Sequence, residues 1–260
     1  MAIWNKLTQA FLPDNKTLFE AFMLADKDGN IINSFGAASN VIIAAGLVDG
    51  YSHINKFGAT PGDVTAGTVW DGNVGTTVYP YPANGVVSVA SATNSGADVE
   101  IQGLNASYEP VTETVAIGAS GTETFSRVFR ASMVDTNNTS DVTINMGASP
   151  AAYIKANLGQ TLMAVYTIPA GKTGYLLKAN FGSDKASTNS AMGYSIMARP
   201  FGGTFNIKGR FYSAGGQNIV QEYPIPLKFD EKTDIRIDIT AAQQATIAAT
   251  FDIILVDNPA

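Results

Sequence analysis

The stretch Thr233-Asp-Ile-Arg-Ile-Asp-Ile239 decides how the rest of this chain is read. Ile235, Ile237 and Ile239 recur at every second position, with Asp234, Arg236 and Asp238 in the gaps. An extended strand sends successive side chains to opposite faces, whereas a helix would return its apolar residues every three to four. The segment is therefore a strand with one isoleucine face and one charged face. Working outward, apolar–polar alternation recurs at 248–256 downstream and at 161–168, 173–179, 194–198, 204–208 and 218–223 upstream. It continues at 86–90, 98–104, 110–117, 125–131 and 141–146. Turn-forming clusters separate these runs, among them Thr93-Asn-Ser-Gly96, Asn105-Ala-Ser107, Gly118-Ala-Ser-Gly121 and Asp135-Thr-Asn-Asn138. Short strands at this spacing, with Gly, Asn, Asp and Ser between them, predict an all-β chain of sandwich or jelly-roll type. No helical pattern of 12 or more residues follows residue 12, so the βα alternation of a doubly wound fold is absent.

The composition break at Gly147-Ala-Ser-Pro150 suggests two β domains, at about 61–150 and 151–260. Residues 1–60 form an N-terminal arm. Within it, Ile3, Trp4, Leu7, Phe11 and Leu12 fall at helical spacing, and Pro13 stops the run. This short helix packs on its own domain or docks its apolar stripe, with Trp4, Leu7 and Phe11, on a neighbouring subunit. Residues 18–34 read as a hairpin around the turn Asp26-Lys-Asp-Gly-Asn30, and the Gly- and Ala-rich residues 36–62 as a connector.

Apolar residues make up 45% of the 260, enough for a folded core, but charged residues only 15%. About 25% is usual for soluble domains, so much of the surface is expected to lie against partner subunits. The net charge of −6 argues against a nucleic-acid footprint. There is no cysteine, which removes disulfides, thiolate metal sites and cysteine nucleophiles. The first residues lack the basic and apolar regions of a signal peptide, and no apolar run approaches the roughly 18 residues of a membrane span.

Candidate chemistry is sparse. His53 is the only histidine, so any His-based triad or metal site would run through it. Asp26, Asp28 and Asn30 copy the opening of an EF-hand loop, but that loop needs Gly at position 6 and Glu at 12, where Ile31 and Ala37 stand. The acid pairs Asp98/Glu100 and Glu109/Glu113 have the same-face spacing of an exposed sheet. No phosphate-loop or dinucleotide motif occurs among the glycines. No cofactor and no metal is expected. The most distinctive patch is Arg199-Pro-Phe-Gly-Gly-Thr-Phe-Asn-Ile-Lys-Gly-Arg-Phe-Tyr212. Its Arg199, Phe201, Phe205, Arg210, Phe211 and Tyr212 are the residue types enriched in interface cores. A strand–turn–strand at a subunit interface, a stretch of plain core and a single-strand-binding surface are the three readings of it.

Several segments, in order, resemble a family of virion structural proteins from tailed phages of aquatic bacteria, cyanophages among them. They begin with Leu18-Phe-Glu-Ala-Phe22 and Ala25-Asp-Lys-Asp-Gly-Asn30, Thr68-Val-Trp-Asp-Gly72 and residues 99–115. Arg127-Val-Phe-Arg-Ala131, residues 162–174, Arg199-Pro-Phe-Gly-Gly-Thr-Phe205, residues 226–235 and Phe251-Asp-Ile-Ile-Leu-Val-Asp257 follow. Each alone is a generic β segment; their order carries the likeness. The resemblance implies a non-catalytic particle component, assembled in the host cytoplasm and resident in the virion. It supplies no catalytic residues. A capsid cement or decoration protein bridging subunits of the major capsid protein fits the size and the arm, and a tail, neck or fibre component is the alternative. Trimers are expected by analogy with other low-charge β sandwiches on icosahedral shells. A receptor- or glycan-binding adhesin would need exposed aromatics at loop tips, for which Trp70, Tyr79 and Tyr81 near Asp71 and Asn73 are the candidates.

Overall fold

A computed structural model describes residues 24–25, 31–32 and 38–259, apart from 63, 73–74, 185–190 and 215; side chains are described from residue 41 on, without 241–243. The chain forms two compact units, residues 1–53 and 54–260. In the first, β1 (Leu24–Ala25) and β2 (Ile31–Ile32) pair antiparallel, Leu24 against Ile32 and Ala25 against Ile31, within the stretch 18–34 read as a hairpin. A short helix, α1 (Ala38–Ala44), follows. Trp4, Leu7 and Phe11 lie outside the described residues, as does the turn 26–30.

The second unit is all-β and holds three antiparallel sheets. Six strands make a half-barrel: β5 (Gly85–Ser91), β6 (Asp98–Asn105), β7 (Pro110–Ala116), β8 (Ser120–Met133), β9 (Val142–Met146) and β10 (Ser149–Ile154). Their order is β10-β9-β5-β8-β6-β7. The long β8 changes partner along its length, pairing β5 through Ser120–Phe125 and β6 through Phe125–Met133, which bends the sheet. At the bend Gly103 is required: a Cβ there would stand 2.0 Å from the Arg127 carbonyl oxygen. Val87, Val99, Ile101, Phe125, Ile144 and Ile154 fill the concave side, and Trp70, Tyr79 and Met163 enter it from outside the sheet.

The other two sheets stack as a sandwich. One contains β4 (Val64–Thr68), β11 (Val165–Thr167), β16 (Asp234–Ala245), β13 (Ala191–Arg199) and β14 (Asn206–Ala214). The other runs β15 (Ile219–Phe229), β12 (Lys172–Ser183), β17 (Ile247–Asp257) and β3 (Tyr51–Ala59). Between them lie Tyr194, Ile196, Ile235, Ile237 and Ile239 from one side and Leu176, Phe181, Phe251, Ile253 and Leu255 from the other. Each such fully buried side chain contributes roughly 1.5–3 kcal/mol of transfer free energy. Phe181 stacks on both Tyr194 and Phe211 at ring separations of 5.1 and 5.2 Å.

Two regions differ from the sequence expectation. Residues 36–62 are not a connector throughout, because α1 and β3 occupy them. The inward positions of β3 include Lys56 and Gly58, so its period of two has no apolar signal. A Cβ at Gly58 would stand 2.3 Å from the Ala164 nitrogen and 2.7 Å from the Val69 oxygen; only glycine lets these backbones meet. The break at Gly147–Pro150 is a tight hairpin joining β9 to β10, with Ser149 paired to Met146. The chain leaves the half-barrel only after Ile154, and β3 and β4 belong to the sandwich.

Candidate interface site

Two of the three charges on the outer face of β16 are buried, and Asp238 is half-buried. Asp234 is 2% exposed and Arg236 9%. Asp234 starts β16 beyond the β15–β16 turn and is reached by side chains from three other strands. Arg127, on β8 of the half-barrel, donates from Nε to one carboxylate oxygen at 2.7 Å and from Nη2 to the other at 3.0 Å. Arg199, the last residue of β13, donates to the second oxygen from Nε at 2.9 Å and Nη2 at 2.5 Å. The Thr167 hydroxyl of β11 donates at 2.6 Å. Two residues on, Arg236 donates to Asp238 at 3.0 and 2.8 Å, and Asp238 accepts the Thr68 hydroxyl at 2.8 Å. Planar guanidinium forks match a carboxylate in two-point contact, so this geometry fixes orientation as well as charge.

Aromatic rings cover the charges. The Arg199 guanidinium lies 4.7 Å from the rings of both Tyr81 and Phe205, and that of Arg236 lies 4.1 Å from Phe205. Arg127 faces Tyr81 and Tyr108 at 5.5 and 5.4 Å. Tyr81 meets Tyr79 edge-on at 4.8 Å, and Tyr79 meets Trp70 edge-on at 5.2 Å, so the cluster is continuous with the half-barrel core. Burial pushes the Tyr81 hydroxyl well above the ordinary tyrosine range, and the Asp234 charge adds to that. Burial alone would lower Arg127, but the hydrogen bond and charge of Asp234 outweigh it and raise the guanidinium above its ordinary value. Asp234 has both oxygens taken by donors. A carboxylate so occupied is an anchor between strands, not a free base.

The sequence patch around Arg199 is thus divided. Arg199 and Phe205 turn inward onto Asp234 and Arg236, and Phe211 packs on the sandwich core. Phe201 and Tyr212 are each 66% exposed, and Arg210 is exposed beside Tyr212 with its guanidinium 5.5 Å from that ring. Sequence reading singled out Arg199 and Phe205, and Tyr81 only as a loop-tip aromatic, without joining them to one another or to Arg127 and Asp234, because the partners lie 35 to more than 100 residues apart. The two-residue period had flagged Asp234 without showing that anything covers it.

Trp70 and Tyr79 are 0% and 1% exposed, and Asp71 is 1% exposed, which removes them as loop-tip aromatics and acid for an adhesin. Val69 packs into the sandwich core while Trp70 and Tyr79 pack into the half-barrel, where the Tyr79 hydroxyl donates to the Val128 carbonyl oxygen at 3.0 Å and the Ala151 carbonyl oxygen at 2.9 Å. Asn73 lies outside the described residues. Asp71 accepts the Leu162 N–H at 2.9 Å through one oxygen, while the other has no hydrogen-bond partner. Burial holds its carboxyl well above the usual range. Glu100 accepts from Gln102 at 2.8 Å, Glu109 from Asn105 at 3.1 Å, and Glu113 from the Thr122 amide and hydroxyl at 2.6 and 2.9 Å. These acids hold turns and strand faces together. His53 lies exposed on β3. Among the described residues no group of three or more His, Asp or Glu could hold a metal ion, and no helix is long and apolar enough to cross a membrane.

No protein-family model matches this chain, and no curated protein matches it in sequence. Among solved structures it is similar to that of infectious bursal disease virus Gx strain, at 10% identity over 80% of this chain and 71% of that one, with a TM-score of 0.23. It is similar as well to the crystal structure of the infectious bursal disease virus VP2 subviral particle, at 10% identity over 81% and 73% of the two chains, with a TM-score of 0.22. At these scores the folds do not superpose.

Proposed function

We propose that this chain is a non-catalytic structural component of a tailed-phage virion, and more specifically a cement protein that bridges subunits of the capsid. The observation that carries this reading is the ordered series of segments, from Leu18 to Asp257, resembling virion structural proteins of that class. The low charge supports it, as do the large exposed apolar side chains Phe201, Ile207, Tyr212, Val220 and Ile225, which suit a surface that lies against other proteins. Attachment would be multivalent, several modest contacts across neighbouring subunits adding up to a lasting one. The arm, residues 1–12, is the expected tether. A tail, neck or fibre position remains the second reading; its adhesin form has lost its aromatic candidates to the half-barrel core.

Immunogold labelling of intact particles tests the proposal. Label spread over the head supports the cement role, and label confined to the tail replaces it with the second reading. Particles that carry no label after their proteins are shown by mass spectrometry to lack the chain refute both. Deleting residues 1–12 should abolish attachment to particles while residues 54–260 keep the melting behaviour of the full chain.

A further inference from the structure

The two sides of the sandwich are finished differently. On one side β3, β4 and β11 are covered by the rest of the unit. Lys56 donates from Nζ to the Phe129 oxygen of the half-barrel, and the Val69 and Ala164 amides donate to Ile237 and Val69 at 2.9 Å each. On the other side, among the described residues, the two sheets end on β14 and β15, which pair with no further strand. Of eight large apolar side chains exposed among the described residues from 54 onward, five (Phe201, Ile207, Tyr212, Val220, Ile225) lie on these two strands or the turn before them, so apolar exposure is concentrated there.

The two open edges are not equivalent. β15 contains Pro224 and Pro226, and its pairing with β12 jumps from Leu176–Leu227 to Lys178–Glu222, leaving residues 223–226 outside the ladder. Proline and bulges are the devices that stop an edge from recruiting another strand. β14 has no proline, and after an irregularity near Ile207 its ladder to β13 is regular from Gly209 to Ala214. Its outward side chains are Lys208, Arg210, Tyr212 and Ala214, a cationic half followed by an uncharged half. Reversed on itself about Phe211, such a strand sets Arg210 of each copy opposite Tyr212 of the other and Lys208 opposite Ala214. Each guanidinium then meets a phenol ring, as Arg210 already does within one chain at 5.5 Å, and no two cations face each other. Shifting the axis to Arg210 would oppose two arginines, and shifting it to Tyr212 would lose both cation–ring pairs.

We infer that β14 pairs antiparallel with β14 of a second copy of this chain, extending the β14 sheet across a two-fold axis through Phe211. The contact builds dimers and even-numbered assemblies, in place of the trimer expected by analogy with other β sandwiches. It does not depend on the virion reading, which is tested by particle labelling and would survive the failure of this pairing.

The native chain should sediment as a dimer at micromolar concentration, and Tyr212→Asp should weaken that dimer by about tenfold or more, since aromatic anchors dominate contacts of this kind. A native monomer or trimer overturns the inference, as does a dimer indifferent to Tyr212→Asp. Because the chain has no cysteine, register is read separately with Arg210→Cys and Tyr212→Cys. Directly opposed Cβ atoms lie about 4.5–5.5 Å apart and diagonal ones about 7–8 Å. Oxidation should therefore cross-link a mixture of the two variants several-fold more than either alone. Equal cross-linking in all three samples overturns the register. The native sedimentation result stands whether or not the variants fold.

Discussion

The two faces of β16 hold the same strand by opposite means. Ile235, Ile237 and Ile239 point into an aliphatic and aromatic core where contact is close but not directional. Asp234, Arg236 and Asp238 point into a junction of guanidinium forks and rings in which every hydrogen bond has a geometry to satisfy. Apolar packing tolerates a neighbour of similar volume, whereas a buried ion cluster tolerates almost no loss of a partner, because a stranded charge keeps its full desolvation cost. The sandwich core supplies cohesion. The junction supplies the register between half-barrel and sandwich, since Arg127 belongs to one and Asp234, Arg199 and Thr167 to the other.

The largest effect is expected from Asp234→Ala, which strands Arg127 and Arg199 together. It should cost about 3–5 kcal/mol, the range for breaking a buried pair, and lower the melting temperature by roughly 10 °C in calorimetry. A loss below about 1 kcal/mol would mean that the junction is incidental. Next, Arg127→Lys keeps the charge but loses the two-point fork. A loss of about 1–2 kcal/mol in urea unfolding is expected, about one charged hydrogen bond. On the other face, Ile237→Val removes one methylene and should cost only about 0.5–1.5 kcal/mol.

Asp71→Asn sharpens the contrast from the opposite direction, because Asp71 is a buried carboxyl with no cation. Its folded-state pKa is raised by burial, so the folded chain binds the proton more tightly than the unfolded chain. The penalty is absent below the unfolded carboxylate pKa, grows as pH rises through it, and is complete above the folded value. Asp71→Asn should therefore raise the melting temperature at neutral pH, and the gain should shrink as pH falls towards 4. A constant gain across that range would show that ionisation is not its source. Lys56 gives the mirror case. Burial, then the nearby Arg130, hold it well below the ordinary 10.5, so its penalty is full at low pH and fades as pH rises from the folded value towards the unfolded one. Lys56→Met should stabilise the chain at neutral pH, and that gain should disappear in strong alkali.

Much of the β architecture was legible because these strands keep one apolar face. The periods at 98–104, 125–131, 234–239 and 248–256 coincide with β6, β8, β16 and β17. β3 was illegible for the converse reason, since its inward residues are a lysine and a glycine chosen by close backbone approach rather than by hydrophobicity. The residues at 147–150 form a tight hairpin, and Gly, Ser and Pro serve a hairpin as readily as a linker, so composition does not distinguish the two. Arg199 and Phe205 could be picked out by type, yet whether an Arg–aromatic patch faces a partner subunit or its own chain depends on what stands across from it.

Alternation alone marks most of the strands from about residue 85 to 256, with the apolar face of each, because a period of two is a property of the extended backbone. The packing of distant segments settles that Asp234 and Arg236 of β16 are buried, that Trp70 and Tyr79 are core, and that β14, among the described residues, ends its sheet without a proline. Those outcomes depend on Arg127, Tyr81, the half-barrel and the β15 prolines arriving from distant positions, and no local pattern encodes which distant residue will arrive.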